Sequence, residues 1–304
     1  MAKSYRYLHY DVFTGQLFGG NQLAVFLDGR GLASATMQAI AKEMNFSETT
    51  FVLPAERQDT DVRMRIFTIG EELPMAGHPT IGTTFALART GVIDATRAGL
   101  VFGLGVGPTP VSLIWKGDEL NFAWMTQGLP VFSEPIADAR LAAEALSLPV
   151  SALLGASAPV QSISCGVPFV FVPLASRRVV DEASPNRAAI GQLLRASKST
   201  AHGVFLFSAE PGPDGATAYS RMFAPGLGIE EDPATGSASG PLGCYLVRYG
   251  LAGADKADAM LSLQGARMGR PSHVHISIGL TAGQISSVRV GGEAVLAGEG
   301  TLYL

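Results

Sequence analysis

EELPMAGHPTIGTTFALARTG, residues 71–91, recurs in altered form as EEDPATGSASGPLGCYLVRYG, residues 230–250. Seven of the 21 positions are identical without a gap: Glu, Glu, Pro, Gly, Leu, Arg and Gly. Background composition would supply about one or two such matches. The flanks agree as well. RIFTIG (65–70) precedes the first copy, and RMFAPG (221–226) precedes the second with three extra residues between. A repeat of this length decides architecture before any single element does, because each copy must build the same unit.

Strand alternation and helix periodicity extend the match outward from both copies. FVLP from Phe51 and DVRMRIFT from Asp61 read as a hairpin, as do GVFLFSA from Gly203 and TAYSRMFA from Thr217, the latter turning at Pro213-Asp214-Gly215. Amphipathic helices precede both hairpins, at 34–44 and 186–197, and apolar strands at 22–27 and 168–174 precede those. Each acidic loop then runs into a helix with few charges, 79–90 and 238–249. A helix apolar on nearly every face must be surrounded by protein, so each is expected inside a curled sheet. Pro79 suits a first helical position, Gly91 and Gly250 suit the position after the last turn, and Arg89 and Arg248 complement the helix dipole. Pro241 is expected within a first turn, or its helix starts later than drawn. The fold class is therefore α+β. Two similar, pseudo-symmetric lobes, 1–128 and 129–304, are each expected to form a curled, mostly antiparallel sheet around a central helix, with the last strand free to pack back on the first lobe. The helix N-termini of the two lobes are expected to face one cleft.

Composition narrows the function. Hydrophobic residues make up 47% and charged residues 16%, the profile of a well-buried globular chain. The net charge is −4 and no basic cluster exceeds a pair, so there is no phosphate-neutralising stripe and nucleic acid is not an expected partner. Residues 1–6 lack the basic start and apolar stretch of a leader, and the longest apolar run, 167–175, is far too short to span a bilayer. No membrane association and a cytoplasmic location are expected. Cys165 and Cys244 sit in apolar surroundings and read as two reduced, buried thiols, and no pattern of Cys or His spacing proposes a metal or a cofactor.

Both acidic loops present Gly and a polar residue at a helix start, Gly77-His78 and Gly236-Ser237. Such a start gathers unpaired N–H groups and the positive dipole end, which suit a carboxylate. The competing reading is a pair of ordinary capped helices. Asymmetry carries more weight than agreement, because a residue shared by both copies can serve the fold. Asp232 stands where the first copy has Leu73, and Glu48, in NFSET, aligns with about Ala201 and has no acidic twin. A carboxylate at the mouth of an apolar cleft is disfavoured in its charged form by desolvation, which suits a group that takes and returns a proton. The competing reading for Glu48 is an exposed turn acid. GLGVGPTP (103–110) is a turn, since no Lys-Ser/Thr follows it, and His202, His273 and His275 are assigned no role.

In combination and order, four segments resemble the phenazine-biosynthesis PhzF-like family, relatives of diaminopimelate epimerase: DVFTGQLFGGNQLAVF from Asp11, NFSETTFV from Asn45, RIFTIGEELPMAGHPTIGTT from Arg65, and RMFAPGLGIEEDPATGSASGPLG from Arg221. The resemblance covers nearly the whole chain. It implies two barrel-like lobes with the active site between them, a homodimer, and no cofactor. In the family's phenazine-pathway member a glutamate moves a proton between ring carbons of a dihydro-hydroxyanthranilate, a role that falls on Glu48. The resemblance makes Glu48, Asp232 and His78 the candidate catalytic groups, with Asn21, Ser47, Gly77, Gly236 and Ser237 binding substrate. The epimerase relatives use two opposed cysteines, and neither Cys165 nor Cys244 lies in these loops. The expectation is an isomerase or epimerase acting on a small carboxylate-bearing metabolite, dihydro-hydroxyanthranilate-like or amino acid-like. Its rivals are a non-catalytic carboxylate-binding protein and a lyase on the same scaffold.

Overall fold

Apolar residues at every second position make strands that can bury one face, and the chain uses them in a fixed order. The computed structural model describes residues 3–304; Met1 and Ala2, where the stretch read for a leader begins, lie outside them. The first half runs β1 (Ser4–Val12), β2 (Asn21–Phe26), α1 (Ser34–Met44), β3 (Glu48–Pro54), β4 (Val62–Thr68), β5 (Glu72–Leu73), α2 (Gly77–Arg89), β6 (Gly99–Leu104), β7 (Gly107–Lys116) and β8 (Glu119–Gln127). The second runs β9 (Val131–Phe132), α3 (Ala139–Ala145), β10 (Gln161–Ser164), β11 (Pro168–Pro173), α4 (Arg177–Glu182), α5 (Arg187–Ala196), β12 (Val204–Ser208), β13 (Ala218–Ala224), β14 (Ile229–Asp232), α6 (Gly236–Arg248), β15 (Met260–Gln264), β16 (Ser272–Thr281) and β17 (Gln284–Gly292), and β18 (Ala294–Tyr303) closes the chain. Two units result, one holding residues up to Thr126 together with Gly291–Leu304, the other Gln127–Val290. The terminal strand thus belongs to the first unit, where β18 lies antiparallel to β1 from Ser4↔Tyr303 to Val12↔Ala294.

The strand ladders of the two units repeat each other. In the first, β1 is antiparallel to β2, β2 parallel to β3, β3 antiparallel to β4, and β4 antiparallel to β5 and parallel to β6, which continues antiparallel into β7 and β8. In the second, β10, β11, β12, β13, β14, β15 and β16 follow with the same senses in the same order. Each unit is an α+β fold with a curled, mostly antiparallel sheet around one central helix. α2 and α6 are those helices: every residue of Gly77 to Leu87 and of Gly236 to Leu246 is buried. With no room for a solvent face, hydroxyls bond inward, Thr80 to the Ala76 carbonyl (2.7 Å) and Ser239 to the Thr235 carbonyl (2.9 Å) at matching positions. Gly82 lets α2 lie close against the sheet, since a Cβ there would lie 2.6 Å from Leu23 Cδ2. α1 packs on the other face of the first sheet, burying Met37, Ile40 and Ala41 against Phe26, Phe51 and Phe67.

The identical Arg and Glu of the repeat have a structural purpose. Arg65 donates to both carboxylate oxygens of Glu72 (2.7 and 2.5 Å) and lies 5.0 Å over Phe67. Arg221 donates to both oxygens of Glu231 (2.8 Å each) and lies 4.8 Å over Phe223. Each fork braces a short strand against its neighbour just ahead of a central helix.

Two boundaries and one register differ from the expectation. α2 starts at Gly77, so Pro79 is its third residue; its missing N–H costs nothing there because first-turn N–H groups have no helical partner. α6 starts at Gly236, which puts Pro241 sixth, in the second turn, where it removes the bond to the Ser237 carbonyl. Neither placement expected for Pro241 holds, because side-chain bonds to Asp232 and Thr235, described below, fix the helix start. The repeat register also moves the counterpart of Glu48. Phe51 pairs with Arg65 and Leu206 with Arg221, so Glu48 corresponds to Gly203, two residues beyond Ala201. A side chain has no space at Gly203, where a Cβ would sit 2.7 Å from the Phe223 carbonyl oxygen.

Candidate active site

Glu48 owes its position to a helix stop. α1 ends on Asn45 in the left-handed conformation (φ 55°), whose N–H bonds the Ala41 carbonyl, and three residues later the chain enters β3 at Glu48. Asn tolerates that conformation better than most residues. In the ladder Glu48 lies between Leu23 and Thr68, and alternation along β3 puts it on the face of Thr50, whose hydroxyl meets Thr83 of α2 at 2.9 Å. Glu48 therefore faces the central helix. It is 9% exposed, so the exposed-turn reading fails.

His78, the second residue of α2 and 3% exposed, places Nε2 3.4 Å from Glu48 Oε2. Asn21, at the start of β2 and 1% exposed, places its amide nitrogen 3.1 Å from His78 Nδ1. The carboxylate and imidazole are within ion-pair distance, yet burial depresses the His78 pKa to about 3, against a smaller upward pull from a Gln22 main-chain hydrogen bond. Burial dominates, so this is a neutral imidazole facing an acid. The two neutral tautomers suit the two states of a proton carrier: Nε2–H can donate to a carboxylate, and a bare Nε2 can accept from a carboxylic acid. As placed, Nε2 makes no hydrogen bond among the described residues, a cost of about 1–3 kcal/mol for a buried polar group. Ser47 is half-buried beside Glu48, and Gly77 is buried at the start of α2.

The depressed His78 pKa gives a stability signature. The folded state holds this ring neutral, whereas an unfolded chain protonates it below its ordinary 6.5. Its contribution is whole above pH 6.5 and lost as pH falls from there toward 3, because the unfolded state binds the extra proton. At pH 5 the loss amounts to about 2 kcal/mol. Urea unfolding at pH 7.5 and 5 should show it in the wild type and not in His78→Gln; equal losses in both would refute the neutral imidazole.

The second unit builds its site differently. Asp232 ends β14 and is 4% exposed, and Thr235, just ahead of α6, donates its hydroxyl to Asp232 Oδ2 at 2.5 Å. Gln264, at the end of β15 and fully buried, accepts from the Thr235 N–H (3.0 Å) and donates to the Asp232 carbonyl (2.7 Å) and the Thr235 hydroxyl (2.9 Å). Gln127 donates to the Gly236 carbonyl at 2.9 Å. Gly236 and Ser237 are the first two residues of α6, and both are buried. Neither α2 nor α6 has a side-chain N-cap, Ala76 and Thr235 making no such bond, so these are not ordinary capped helix ends. Thr235 and Gln264 escaped the sequence analysis. The change of Ala76 to Thr235 was visible in the aligned loops, but Gln264 lies outside them.

Other candidates fall away. Cys165 and Cys244 are both buried in the second unit, and the Cys165 thiol is pushed up by its hydrogen bond to Cys244 and then by burial. A thiol raised in this way stays protonated and is a poor nucleophile. Residues 103–110, expected as a turn, are mostly the paired ends of β6 and β7, with the turn itself confined to Gly105 and Val106, and His273 and His275 alternate along β16, the first exposed, the second half-buried.

The chain is thus a duplicated α+β fold whose first unit buries an acid against a neutral imidazole. The sequence model for phenazine biosynthesis-like proteins, PhzC-PhzF, matches residues 10–300. An uncharacterized isomerase of Mesorhizobium japonicum is 35% identical over 98% of both chains. The trans-2,3-dihydro-3-hydroxyanthranilate isomerase of Pseudomonas aeruginosa is 33% identical over 99% of this chain and 100% of its own. The crystal structure of a PhzF-family phenazine biosynthesis protein of Bacillus anthracis superposes with TM-score 0.87 at 29% identity, covering 99% and 100% of the two chains. The chain belongs to the phenazine biosynthesis-like family and is an isomerase. Among the described residues no helix is long and apolar enough to cross a membrane.

Proposed function

We propose that the protein moves a proton between carbons of a small carboxylate-bearing metabolite, with Glu48 as the acid and base. The observation that carries this is the Glu48 carboxylate, buried and 3.4 Å from a His78 ring that burial keeps neutral. Glu48 takes the proton from one carbon and returns it to another, so one C–H bond breaks, one forms, and no co-reactant enters the balance. His78 faces Glu48 through Nε2 as a neutral ring, and Asn21 holds the ring at Nδ1. Asp232 is the second acid of this reading. Ser47 and the helix starts at Gly77, Gly236 and Ser237 hold the substrate, because main-chain N–H groups at a helix start suit a carboxylate. A homodimer in the cytoplasm completes the reading, and light scattering tests its stoichiometry.

The substrate class is dihydro-hydroxyanthranilate-like, supported by the full-length similarity to the Pseudomonas aeruginosa enzyme. Incubation with trans-2,3-dihydro-3-hydroxyanthranilate in D2O should give an isomer that keeps every heavy atom of the substrate and carries solvent deuterium at the carbon that receives the proton. Product that has lost heavy atoms of the substrate would indicate a lyase. Saturable binding with no exchange would indicate a non-catalytic binding protein.

A further inference from the structure

Three positions of the duplicated fold differ as a set. The ladder of β4 with β6 matches that of β13 with β15, pairing Val62 with Phe102 and Ala218 with Ser262, so Leu104 and Gln264 occupy equivalent places. The glycines that follow confirm the register: a Cβ on Gly105 would strike Pro74, and one on Gly265 would strike the matching Pro233. The first unit therefore has Leu73, Ala76 and Leu104 where the second has Asp232, Thr235 and Gln264. The first unit folds with the apolar set, so the fold does not demand the polar one.

The polar set has only one arrangement of protons. A backbone N–H can only donate and a carbonyl can only accept, so Gln264 Oε1 must face the Thr235 N–H and Nε2 must face the Asp232 carbonyl. The second hydrogen on Nε2 goes to the Thr235 hydroxyl oxygen, which leaves that hydroxyl to donate its own hydrogen to Asp232 Oδ2. All three side chains are at least nine-tenths buried, where an unpaired group is costly and water does not substitute. The network thus fixes both the position of Asp232 and the direction from which it is approached by a hydrogen.

We infer that Gln264 is a positioning residue for Asp232, acting through the Thr235 hydroxyl so that Asp232 is held as a hydrogen-bond acceptor aimed by one oxygen. The inference rests on the assignment of Asp232 to the reaction made above. Gln264 and Thr235 need not touch the substrate. Their loss should therefore lower kcat more than it changes KM.

With trans-2,3-dihydro-3-hydroxyanthranilate as probe, Thr235→Val and Gln264→Leu should each lower kcat by roughly 10- to 100-fold, the scale of one lost hydrogen bond to a charged group, with KM within about threefold. Thr235→Ser, which keeps the hydroxyl, should restore most of kcat. If Thr235→Val turns over at the wild-type rate while Glu48→Gln is inactive, the positioning role is wrong and the proton-transfer reading stands. If Glu48→Gln is itself fully active, that reading is wrong. A second measurement needs no substrate. The Thr235→Ala/Gln264→Leu double variant takes a hydroxyl donor from a buried acid and a side-chain amide from two buried main-chain groups, and should lower Tm by about 5 °C or more. Adding Asp232→Leu recreates the apolar set of the first unit and should recover most of that loss. A double variant as stable as wild type would overturn the network.

Discussion

Glu48→Gln is expected to lower kcat by roughly 10³-fold, within the range that positioned acid and base groups contribute, while leaving the fold intact. The amide matches the carboxyl in shape, so β3 and its neighbours Leu23 and Thr68 have no reason to move. What it lacks is the ability to carry a proton away and bring it back. Substrate affinity should change little, because the groups assigned to the carboxylate lie elsewhere. Glu48→Asp should fall between, since one methylene less withdraws the acid from the reacting carbon without removing its chemistry. Stability offers a second reading. Burying an acid beside an imidazole whose Nε2 makes no hydrogen bond among the described residues is an arrangement that function tolerates and folding does not favour. The Gln variant should therefore melt no lower than wild type. Turnover and deuterium uptake at wild-type rates in a correctly folded Gln variant would sink the assignment.

Much of the fold was legible because the chain states it twice. The order of strand, helix, hairpin, loop and central helix came from comparing 71–91 with 230–250, and α1 falls where its periodicity places it, at Ser34–Met44. The asymmetry of Glu48 was legible for the same reason. Its counterpart was placed at about Ala201 rather than Gly203 because the connections before β3 and β12 differ in length, and only the hydrogen-bonded register removes that slack. The burial of Glu48 was hidden too, since a polar turn after a helix looks alike whether water or α2 faces it. Gln264 was invisible for a different reason. It lies 32 residues beyond Asp232 along the chain and reaches it only across the β13–β15 ladder, which no local pattern encodes. The repeated Arg and Glu were seen as identities, but their purpose as braces needed the side-chain forks.

Those braces carry the second large effect. Arg221→Met is expected to destabilise the protein by about 3–5 kcal/mol, the usual cost of stripping one partner from a buried ion pair. Arg221 is 7% exposed in its side chain and Glu231 17%, and the guanidinium also donates to the carbonyls of Val180 (2.9 Å) and Ala183 (2.7 Å) at the end of α4. Removal leaves a carboxylate and two carbonyls without donors in a place water reaches poorly. Arg65→Met at the equivalent position should cost only about 1 kcal/mol or less, because Glu72 is 39% exposed and can be hydrated once released. Pairing Arg221→Met with Glu231→Leu should recover much of the loss, since replacing a whole buried pair by apolar groups is far cheaper than breaking it. Urea unfolding of the four proteins tests this, and equal losses at Arg65 and Arg221 would refute the burial argument. The consequence reaches the site, because Glu231 adjoins Asp232 on β14 and the brace sets where that strand lies against β13. Arg221→Met should therefore lose activity before it loses its fold, whereas Glu48→Gln loses activity with its fold untouched.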